Sequence, residues 1–532
     1  MKKACKIFGV ALGFIGIFTA MPNADAKSKK AEPEKILYIP HDNRPIVFDQ
    51  TIDIIEKAGY KVIVPPKEIL GSRDDLGNPD RLWEWLETNT KKDIKAAVIS
   101  SDSLLYGSLV SSRKHNYNKQ LILERAELFR EYRKKHKKLP LYVFGSIMRT
   151  PRNGLASGYE EPDYYRHYGA NIFRYTALID KHEVEGLTPR ENKEIVFLQK
   201  LIPARALNDW QERREKNFEA NEKLIDMAGE KIFDCLILGR DDNAPYSQTH
   251  MEGRNLAKYG EKITKDKYQT IAGIDEVGLI LLTRAINDRT NNSPSVFVSY
   301  NLGAGGTTIP TYSDEPVDDS INAEFMAVGA NRVYDSNVAD FILAVNTDVE
   351  GKTYEAMNPL NTTAVRRGTN QFANSIQNYL NEGNSVSVAD IVFSNGSDNA
   401  LMQQLKNQKL LFKLQSYAGW NTATNSTGFA LASGILARRM NSHDKNELLL
   451  TRYLDDWAYQ ANVRNKVSSR LNWIGGDGYY NLLDDKKYDA ADWCEQLLTN
   501  FVEDNLPEVR LKGRLRVEFT WNRMFESEIS FK

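Results

Sequence analysis

Acidic residues recur in this sequence directly after apolar segments of the kind that form buried strands. They are Asp42, Asp102, Asp241, Asp242, Asp275 and Glu276. Any one of them alone is more often a turn former or a helix cap than a functional group. Their shared position is more informative, because the carboxyl ends of parallel strands meet at one edge of a sheet, where binding sites collect. The set therefore predicts a cleft lined by carboxylates.

Paired carboxylates of this kind can hydrolyse a glycosidic bond. One protonates the leaving oxygen while the second acts as base or nucleophile, and their separation selects inversion or retention of configuration. We expect Asp241 or Asp242 to be one catalytic carboxylate and Asp275 or Glu276 to be the other. Adjacent residues that continue a strand point to opposite faces, so only one of Asp241 and Asp242 should face the cleft unless the chain has already turned.

Polar and aromatic residues beside the same strand ends are predicted to bind the substrate. They are Asp42, Arg44, Asp102, Tyr106, Arg149, Asn243, Trp420 and Asn421. The two aspartates would hold sugar hydroxyls, and the two arginines would orient the substrate or keep carboxylates ionised. The two aromatic side chains would stack on sugar rings, although core packing is the commoner role of such residues.

The elements that must position these residues are short apolar strands that alternate with helices. Strands are predicted at residues 36–39, 61–64, 96–100, 141–144, 233–238, 268–274, 296–300, 341–345, 391–393 and 412–417. Continuous apolar runs separated by helices indicate parallel sheets that are covered on both faces. We therefore expect an α/β fold of repeated β-α units with parallel sheets, either barrel-like or doubly wound.

The length of the chain exceeds that of one ordinary domain, so we divide it into two α/β units and a cap. Residues 35–291 form the N-terminal α/β domain, which contains a charged helical insertion near residues 162–229. Residues 292–441 form the second α/β domain. Residues 442–532 form a helical C-terminal cap that ends in one strand, predicted at residues 514–520.

The N-terminus has the pattern of a secretory signal peptide. Three lysines precede an apolar stretch over residues 7–20, and the small-residue motif Ala24-Asp25-Ala26 follows it. This order predicts a signal peptide over residues 1–26, cleaved after Ala26, and a polar linker over residues 27–34. The apolar run is short for a membrane span of about 20 residues. We expect a secreted or cell-envelope protein that makes no membrane contact after cleavage.

Charge and cysteine content narrow the function classes further. The 70 basic residues nearly cancel the 71 acidic residues, which argues against a nucleic-acid partner or an anionic membrane surface. Only Cys235 and Cys494 follow the predicted signal peptide, and two cysteines in so long a chain are no disulfide framework. They could pair, but the apolar surroundings of Cys235 favour a buried free thiol.

Six stretches of this sequence allow a comparison with known families. They are YIPHDNRP at 38–45, SSDSLLYGSLVSSR at 100–113, LGRDDNAPYSQTHMEG at 238–253, AGIDEVGLILLTR at 272–284, GWNTATNSTGFALA at 419–432 and FTWNRMFE at 519–526. In them the chain resembles domain-of-unknown-function family 4127, a family of exported bacterial proteins. The family usually has Asp-Asp-Arg-Pro in the first stretch, where this chain has Asn43 as the second residue. The resemblance implies a single-family architecture over essentially the whole mature chain, and it implies no reaction.

Three functions remain open on the sequence alone. The leading one is a carboxylate-dependent glycoside hydrolase that acts on a bacterial or environmental glycan, or another small polar substrate, and needs no cofactor. The second is a metal-dependent hydrolase, for which His41 beside Asp42, and His250 with Glu252, offer nitrogen and oxygen ligands. Their spacing matches no compact zinc motif, so no metal ligand is assigned. The third is a non-catalytic ligand-binding protein of the cell envelope.

Overall fold

The computed structural model describes residues 32–154, 159–473, 480–482, 484–511 and 513–531. The predicted signal peptide, residues 1–26, lies outside the described residues, as do residues 27–31 of the predicted linker. The fold begins at Lys35, the first residue of the first strand.

The first sheet contains six parallel strands and is open at both edges. Its strands are β1 Lys35–Ile39, β2 Lys61–Ile63, β3 Ile94–Ser100, β4 Leu141–Ile147, β5 Cys235–Arg240 and β6 Tyr268–Ala272. They lie in the order β2-β1-β3-β4-β5-β6. Ile36 and Tyr38 pack into one apolar core, and Leu37 and Ile39 pack into another on the opposite face. Both faces are covered, which is why the strand sequences are continuously apolar.

Ten helices belong to this first unit as described. They are α1 Asp49–Lys57, α2 Pro79–Asn89, α3 Ser101–Leu105, α4 Leu109–Lys114, α5 Lys119–Lys135, α6 Tyr165–Val184, α7 Pro189–Leu201, α8 Ala204–Gly229, α9 Gln248–Tyr259 and α10 Val277–Thr290. Sequence signals set several of their boundaries. Thr188 and Glu191 form a reciprocal capping box at the start of α7. Helices α6, α7 and α8 form the predicted insertion, which has its own apolar core around Trp210.

The second sheet repeats the strand order of the first. Its unit contains β7 Ser295–Tyr300, β8 Asn331–Val333, β9 Phe341–Asn346, β10 Tyr354–Glu355, β11 Val386–Asp390, β12 Phe393–Ser394 and β13 Ser416–Ala418. Five of these strands form a parallel sheet in the order β13-β11-β9-β7-β8, while β10 pairs with β12. The helices of this unit are α11 Val317–Val328, α12 Thr369–Asn381, α13 Asn399–Asn407 and α14 Ala423–Ala437. The second sheet thus has the doubly wound order 2-1-3-4-5, and the first has the same order with a sixth strand added, so the doubly wound alternative holds and the barrel-like one does not.

The C-terminal region is mostly helical and ends in a hairpin. It contains α15 Ser442–Arg452, a π-helical segment Tyr453–Val463, α16 Arg464–Trp473, α17 Asp484–Asn505, β14 Leu515–Glu518 and β15 Glu528–Phe531. The sequence predicted one strand here, but β14 pairs antiparallel with β15. A lone strand would leave its backbone groups unpaired, and β15 supplies the missing partner. Short 3₁₀ turns occur at Lys67–Ile69, Gly305–Thr307, Ser336–Val338 and Leu411–Lys413.

The strand predictions for the second sheet were wrong in three respects: β8 was not predicted, the segment predicted at residues 412–417 is a strand only from Ser416 on, and β11 was misplaced. A strand was expected at residues 391–393, whereas the strand between β13 and β9 is β11 at Val386–Asp390. Its sequence, Val-Ser-Val-Ala-Asp, contains two polar residues and lacks a continuous apolar run. All five residues are nevertheless buried, since the two polar side chains form hydrogen bonds inside the fold. Hydrogen bonds allow these polar side chains to be buried, and because they interrupt the apolar run, hydrophobicity alone did not predict this strand.

The two α/β units share one apolar core. Ile280 of α10, Ile321 of α11 and Phe429 of α14 belong to the same buried cluster. Because helices of both units meet there, the two sheets are held with a fixed separation. Cys235 and Cys494 are both buried and free, as expected for Cys235. Among the described helices, none is long and apolar enough to cross a membrane.

Candidate functional site

A cavity of about 630 Å³ lies where the carboxyl ends of the two sheets face each other. It is lined by loops of both α/β units and by the C-terminal region. Seven of the predicted site residues line it: Arg44, Arg149, Asp241, Asp242, Asn243, Asp275 and Asn421. Five others lie outside its lining: Asp42, Asp102, Tyr106, Glu276 and Trp420. A second, shallower depression of about 420 Å³, near Ser72 and Trp521, contains none of the predicted site residues.

The loop after β1 places Arg44 between two buried carboxylates. Arg44 Nε donates to Asp42 Oδ2 at 2.9 Å, and its Nη1 and Nη2 donate to Asp275 Oδ2 and Oδ1 at 3.0 and 2.6 Å. His41 Nε2 lies 3.0 Å from Asp275 Oδ1. Asp42 is fully buried behind Arg44. It can therefore influence a bound molecule only through the arginine that it orients.

Asp275 is held from both walls of the cavity. Asn421, in the loop after β13, donates its Nδ2 to Asp275 Oδ2 at 2.8 Å. Burial by itself would raise the pKa of Asp275, but the charge of Arg44 and the contact with His41 outweigh it and hold that pKa well below its ordinary value. Asp275 is thus an ionised carboxylate with both oxygens engaged, an arrangement suited to positioning neighbouring groups.

Asp241 and Asp242 both line the cavity, just after the end of β5. Asp242 has a φ of 35°, so the chain has already turned and the two side chains need not lie on opposite faces. Arg113 Nη2 donates to Asp241 Oδ2 at 2.5 Å, and Arg149 Nη1 donates to Asp242 Oδ2 at 2.7 Å. Each aspartate therefore has its own arginine and reaches the same cavity.

The environment of Asp242 favours a protonated carboxyl group. Burial raises the pKa of Asp242 to about 6, with the charge of Asp241 adding to the rise and that of Arg149 opposing it. The side chain remains 26% exposed and lines the cavity. A carboxyl group with this pKa can hold a proton slightly below neutral pH and give it to a bound molecule.

Three arginines converge on Glu160, which the sequence pattern did not single out. Arg113 Nη1 donates to Glu160 Oε2 at 2.8 Å, Arg149 Nη2 lies 3.3 Å from the same oxygen, and Arg523 Nη1 donates to Oε1. Burial would raise the pKa of Glu160, but the three guanidinium groups hold it well below its ordinary value. Two of these arginines also bind the adjacent aspartates, so Glu160 connects the two guanidinium groups that hold Asp241 and Asp242.

Three predicted substrate-binding residues support the cavity from behind. Asp102 accepts a hydrogen bond from the Ser146 backbone N–H at 2.9 Å, and burial raises its pKa to about 6. Tyr106 is buried with its ring stacked on His115, at a centroid distance of 4.9 Å. Trp420 is also buried and packs on Phe525, which itself lines the cavity. These positions match the core-packing role that was the alternative for both aromatic residues.

Glu276 lies at the start of α10, below the cavity. It is fully buried, and neither of its carboxyl oxygens has a hydrogen-bond partner among the described residues. Burial raises its pKa well above the ordinary value, and the charge of Glu324 adds to the rise. Burial also raises the pKa of Glu324, whose Oε1 accepts a hydrogen bond from Thr427 at 2.7 Å. Two carboxyl groups that favour the neutral form thus meet between α10, α11 and α14.

We expect Glu276→Gln to gain thermal stability relative to the wild type as the pH rises from 5 to 8. The folded state holds a proton on Glu276 that the unfolded chain releases above about pH 4.3. This stabilisation is complete below that pH and is lost as the pH rises through the raised folded pKa. Melting temperatures across this range test it, with Glu350→Gln, an exposed site, as control. A difference from wild type that is independent of pH would contradict the expectation.

The second α/β unit contributes one carboxylate to the cavity, Glu355 of β10. Its Oε1 accepts a hydrogen bond from the Tyr312 hydroxyl at 2.7 Å, and its Oε2 accepts one from Asn395 Nδ2 at 2.9 Å. The backbone N–H of Asn243 donates to the carbonyl of Tyr312 at 3.0 Å, which connects this wall to the loop that contains Asp242. Glu355 was not among the predicted site residues, because no apolar run precedes it in the sequence.

Of the two residue pairs considered as metal ligands, His41 and Asp42 lie close together, with 3.5 Å between His41 Nε2 and Asp42 Oδ2, whereas His250 and Glu252 have different partners. His250 Nδ1 lies 2.6 Å from Asp180 Oδ2, whereas Glu252 accepts a hydrogen bond from Arg214 Nη2 at 2.7 Å. These two residues therefore belong to different ion pairs and do not form one ligand set. Within the described ranges, no group of three or more His, Cys, Asp or Glu side chains is arranged to hold a metal ion.

The fold and the site together define a two-unit α/β protein with a charged cleft between the carboxyl ends of two parallel sheets. The family model described as "Protein of unknown function (DUF4127)" matches residues 36–530. The chain belongs to this family, in agreement with the resemblance seen in its six stretches. No curated protein and no solved structure is significantly similar to it.

Proposed function

We propose that this protein is a carboxylate-dependent glycoside hydrolase whose active site is the cleft between the two sheets. The main support for this proposal is that Asp242 lines the cavity and that burial raises the pKa of its carboxyl group to about 6. Directly beside it, Asp241 is paired with the Arg113 guanidinium, which stabilises its negative charge. Carboxyl groups placed in different electrostatic environments are what acid-catalysed glycoside hydrolysis requires.

In this proposal Asp242 is the general acid that protonates the departing glycosidic oxygen. Asp241 and the side chain of Asn243 hold the sugar next to it. Asn243 Oδ1 accepts hydrogen bonds from the Ala244 backbone N–H and the Ser247 hydroxyl, at 2.8 and 2.9 Å. Its Nδ2 is buried and has no partner in the described part of the chain, so it remains a donor for a substrate hydroxyl.

The composition of the cavity suits a polar ligand with little net charge. Its lining contains five arginines, Arg44, Arg113, Arg149, Arg152 and Arg523, and five carboxylates, Asp241, Asp242, Asp275, Glu160 and Glu355. The numbers balance, and asparagine and serine side chains complete the polar surface. Phe173 and Tyr312 add aromatic rings, and the volume lies within the range of about 300–1,000 Å³ seen for small-molecule sites. A sugar, with many hydroxyl groups and apolar ring faces, matches this lining.

We also propose that the protein acts outside the cytoplasm, because its N-terminus has the pattern of a secretory signal peptide. Its substrate would then be a bacterial or environmental glycan. Cell-wall and capsule polymers are the first candidates for a protein of the cell envelope.

The experiment is a glycan screen with purified protein that begins at Lys27. Wild type is compared with the double variant Asp241→Asn/Asp242→Asn on plant, wall and capsule polysaccharides and on aryl glycosides. We expect release of reducing sugar by wild type and at least a 100-fold lower rate from the double variant, consistent with roughly 10²–10⁴-fold for general acid–base catalysis.

The matched control is Asp74→Asn/Asp75→Asn, which changes an adjacent aspartate pair that is exposed and outside the cleft. This variant should keep the wild-type rate. Equal sugar release by wild type and the cleft double variant would contradict the proposed site. A glycan that binds in the cleft and is released intact at every pH would instead favour a ligand-binding protein.

A further inference from the structure

We propose that Glu355 is the second catalytic carboxylate and acts from the second α/β unit, whereas Asp242 belongs to the first. This inference rests on the proposed function and names the group that the hydrolysis still lacks. Asp275 forms an ion pair through both oxygens with the buried guanidinium group of Arg44, which neutralises its charge, and Glu276 does not line the cavity. Neither is therefore placed to act as base or nucleophile.

Glu355 differs from the other cleft carboxylates in its partners. Asp241, Asp242, Asp275 and Glu160 each bind at least one arginine. Among the residues that the structure describes, Glu355 binds only neutral donors, the Tyr312 hydroxyl and the Asn395 amide. A carboxylate oriented by neutral groups keeps its charge available for the positive charge that develops on a sugar ring during glycosidic bond cleavage.

The backbone around this carboxylate is held in an unusual conformation. Tyr312 and Asn395, the two donors, have φ values of 68° and 64°, and Asp242 has a φ of 35°. A left-handed conformation at a non-glycine residue is unfavourable and persists only where the surroundings enforce it. The three residues all line the cavity. The strained positions thus coincide with the proposed acid and with both groups that orient Glu355.

The two carboxyl groups come from different α/β units and line one cavity. Asp242 follows β5 of the first sheet, and Glu355 ends β10 of the second unit. The hydrogen bond from the Asn243 backbone N–H to the Tyr312 carbonyl, at 3.0 Å, fixes the two loops against each other. Their relative position is therefore set by the fold before a substrate binds.

The reaction balances with these two groups and one water. The glycosidic C–O bond breaks, and the proton of Asp242 passes to the departing oxygen. The anomeric carbon then bonds either to water, whose proton Glu355 accepts, or to a Glu355 oxygen, which forms an ester that a water activated by Asp242 later hydrolyses. In both courses one water is consumed, and exchange with solvent or the second step restores both carboxyl groups.

The test uses Glu355→Gln and Glu355→Ala, with Glu350→Gln as an exposed control in the same loop region. The substrate is an activated aryl glycoside of the sugar that wild type releases in the screen. We expect both Glu355 variants to fold and to lose at least 100-fold in kcat, while the control keeps the wild-type rate. Sodium azide or formate should restore turnover by Glu355→Ala, because a small anion can occupy the space of the missing carboxylate.

Two outcomes would overturn the inference while leaving the proposed function in place. One is a Glu355→Gln variant with kcat within threefold of wild type. The other is a folded Glu355→Ala variant whose lost activity neither azide nor formate restores, since this result assigns Glu355 a merely structural role. A wild-type protein that hydrolyses no glycoside contradicts the proposed function itself, and the inference falls with it.

Discussion

Asp242→Asn is expected to lower kcat by roughly 10²–10⁴-fold on natural glycans, because the variant cannot protonate the leaving oxygen. The loss should be much smaller on aryl glycosides with acidic phenol leaving groups, which depart without a proton. Parallel kinetics on the two substrate types measure this difference. An equal loss on both would show that Asp242 positions the substrate and does not donate a proton.

The pH profile of wild type supplies an independent check on the same residue. Burial raises the pKa of Asp242 to about 6, so the acid form is present below this pH and disappears above it. The rate constant kcat/KM of wild type should therefore fall as the pH rises through about 6. Asp242→Asn should lack this alkaline limb, whereas Asp74→Asn/Asp75→Asn should retain it.

Arg44→Met should destabilise the protein by about 3–5 kcal/mol at pH 7, the usual cost of removing one partner from a buried ion pair. Arg44 is 6% exposed, and its loss leaves Asp42 and Asp275 buried without their cation. Denaturant titration measures the change in the free energy of unfolding. Arg438→Met, which breaks an exposed pair with Asp340, is the control and should cost no more than about 1 kcal/mol.

The destabilisation by Arg44→Met should depend on pH. Arg44 and His41 hold the pKa of Asp275 well below its ordinary value, so wild type gains stability above about pH 3.9, the value of an unfolded aspartate. That gain is lost as the pH falls through the depressed pKa, and the difference between wild type and variant should shrink below about pH 4. Adding Asp42→Asn and Asp275→Asn should recover much of the lost stability at pH 7. A variant that unfolds at the wild-type denaturant midpoint would refute this role for Arg44.

Most of the fold was accessible from the sequence, because strands buried on both faces contain continuous apolar runs. Strands β3, β4, β5 and β9 each have such a run and fall where they were predicted. The choice between barrel and doubly wound sheet was not accessible, since strand order depends on contacts between distant segments. Strand β11 was misplaced because polar residues interrupt its sequence.

Part of the site could also be predicted from the sequence, for a related reason. The carboxyl ends of parallel strands converge, so residues selected by that rule, such as Asp241 and Asp275, came together in the cavity. The rule cannot find groups that reach the cavity from other elements. Arg113 lies on α4, and Arg523 contacts Glu160 across 363 residues of sequence. The one signal for these two arginines was their position in the stretches that carry the family resemblance.

Side-chain direction also limited the sequence prediction. Glu276 follows a strand end, yet it is the N-cap residue directly before α10, and its side chain lies below the loop of Gly273. A carbon added at Gly273 would lie 2.3 Å from Glu276 Oε1, so the absence of a side chain there lets the carboxyl group pack beneath it. The spacing placed Glu276 directly after a strand end, but spacing alone does not indicate which way its side chain points.

A crystal structure of Asp242→Asn, soaked with a glycan that wild type cleaves, would show directly whether the cleft between the two sheets is the active site. We expect a sugar in the cavity between the two sheets, with its glycosidic oxygen within hydrogen-bonding distance of residue 242 and its anomeric carbon facing Glu355. A glycan bound at any other surface, with the cavity unoccupied at saturating concentration, would contradict the account and require a different active site.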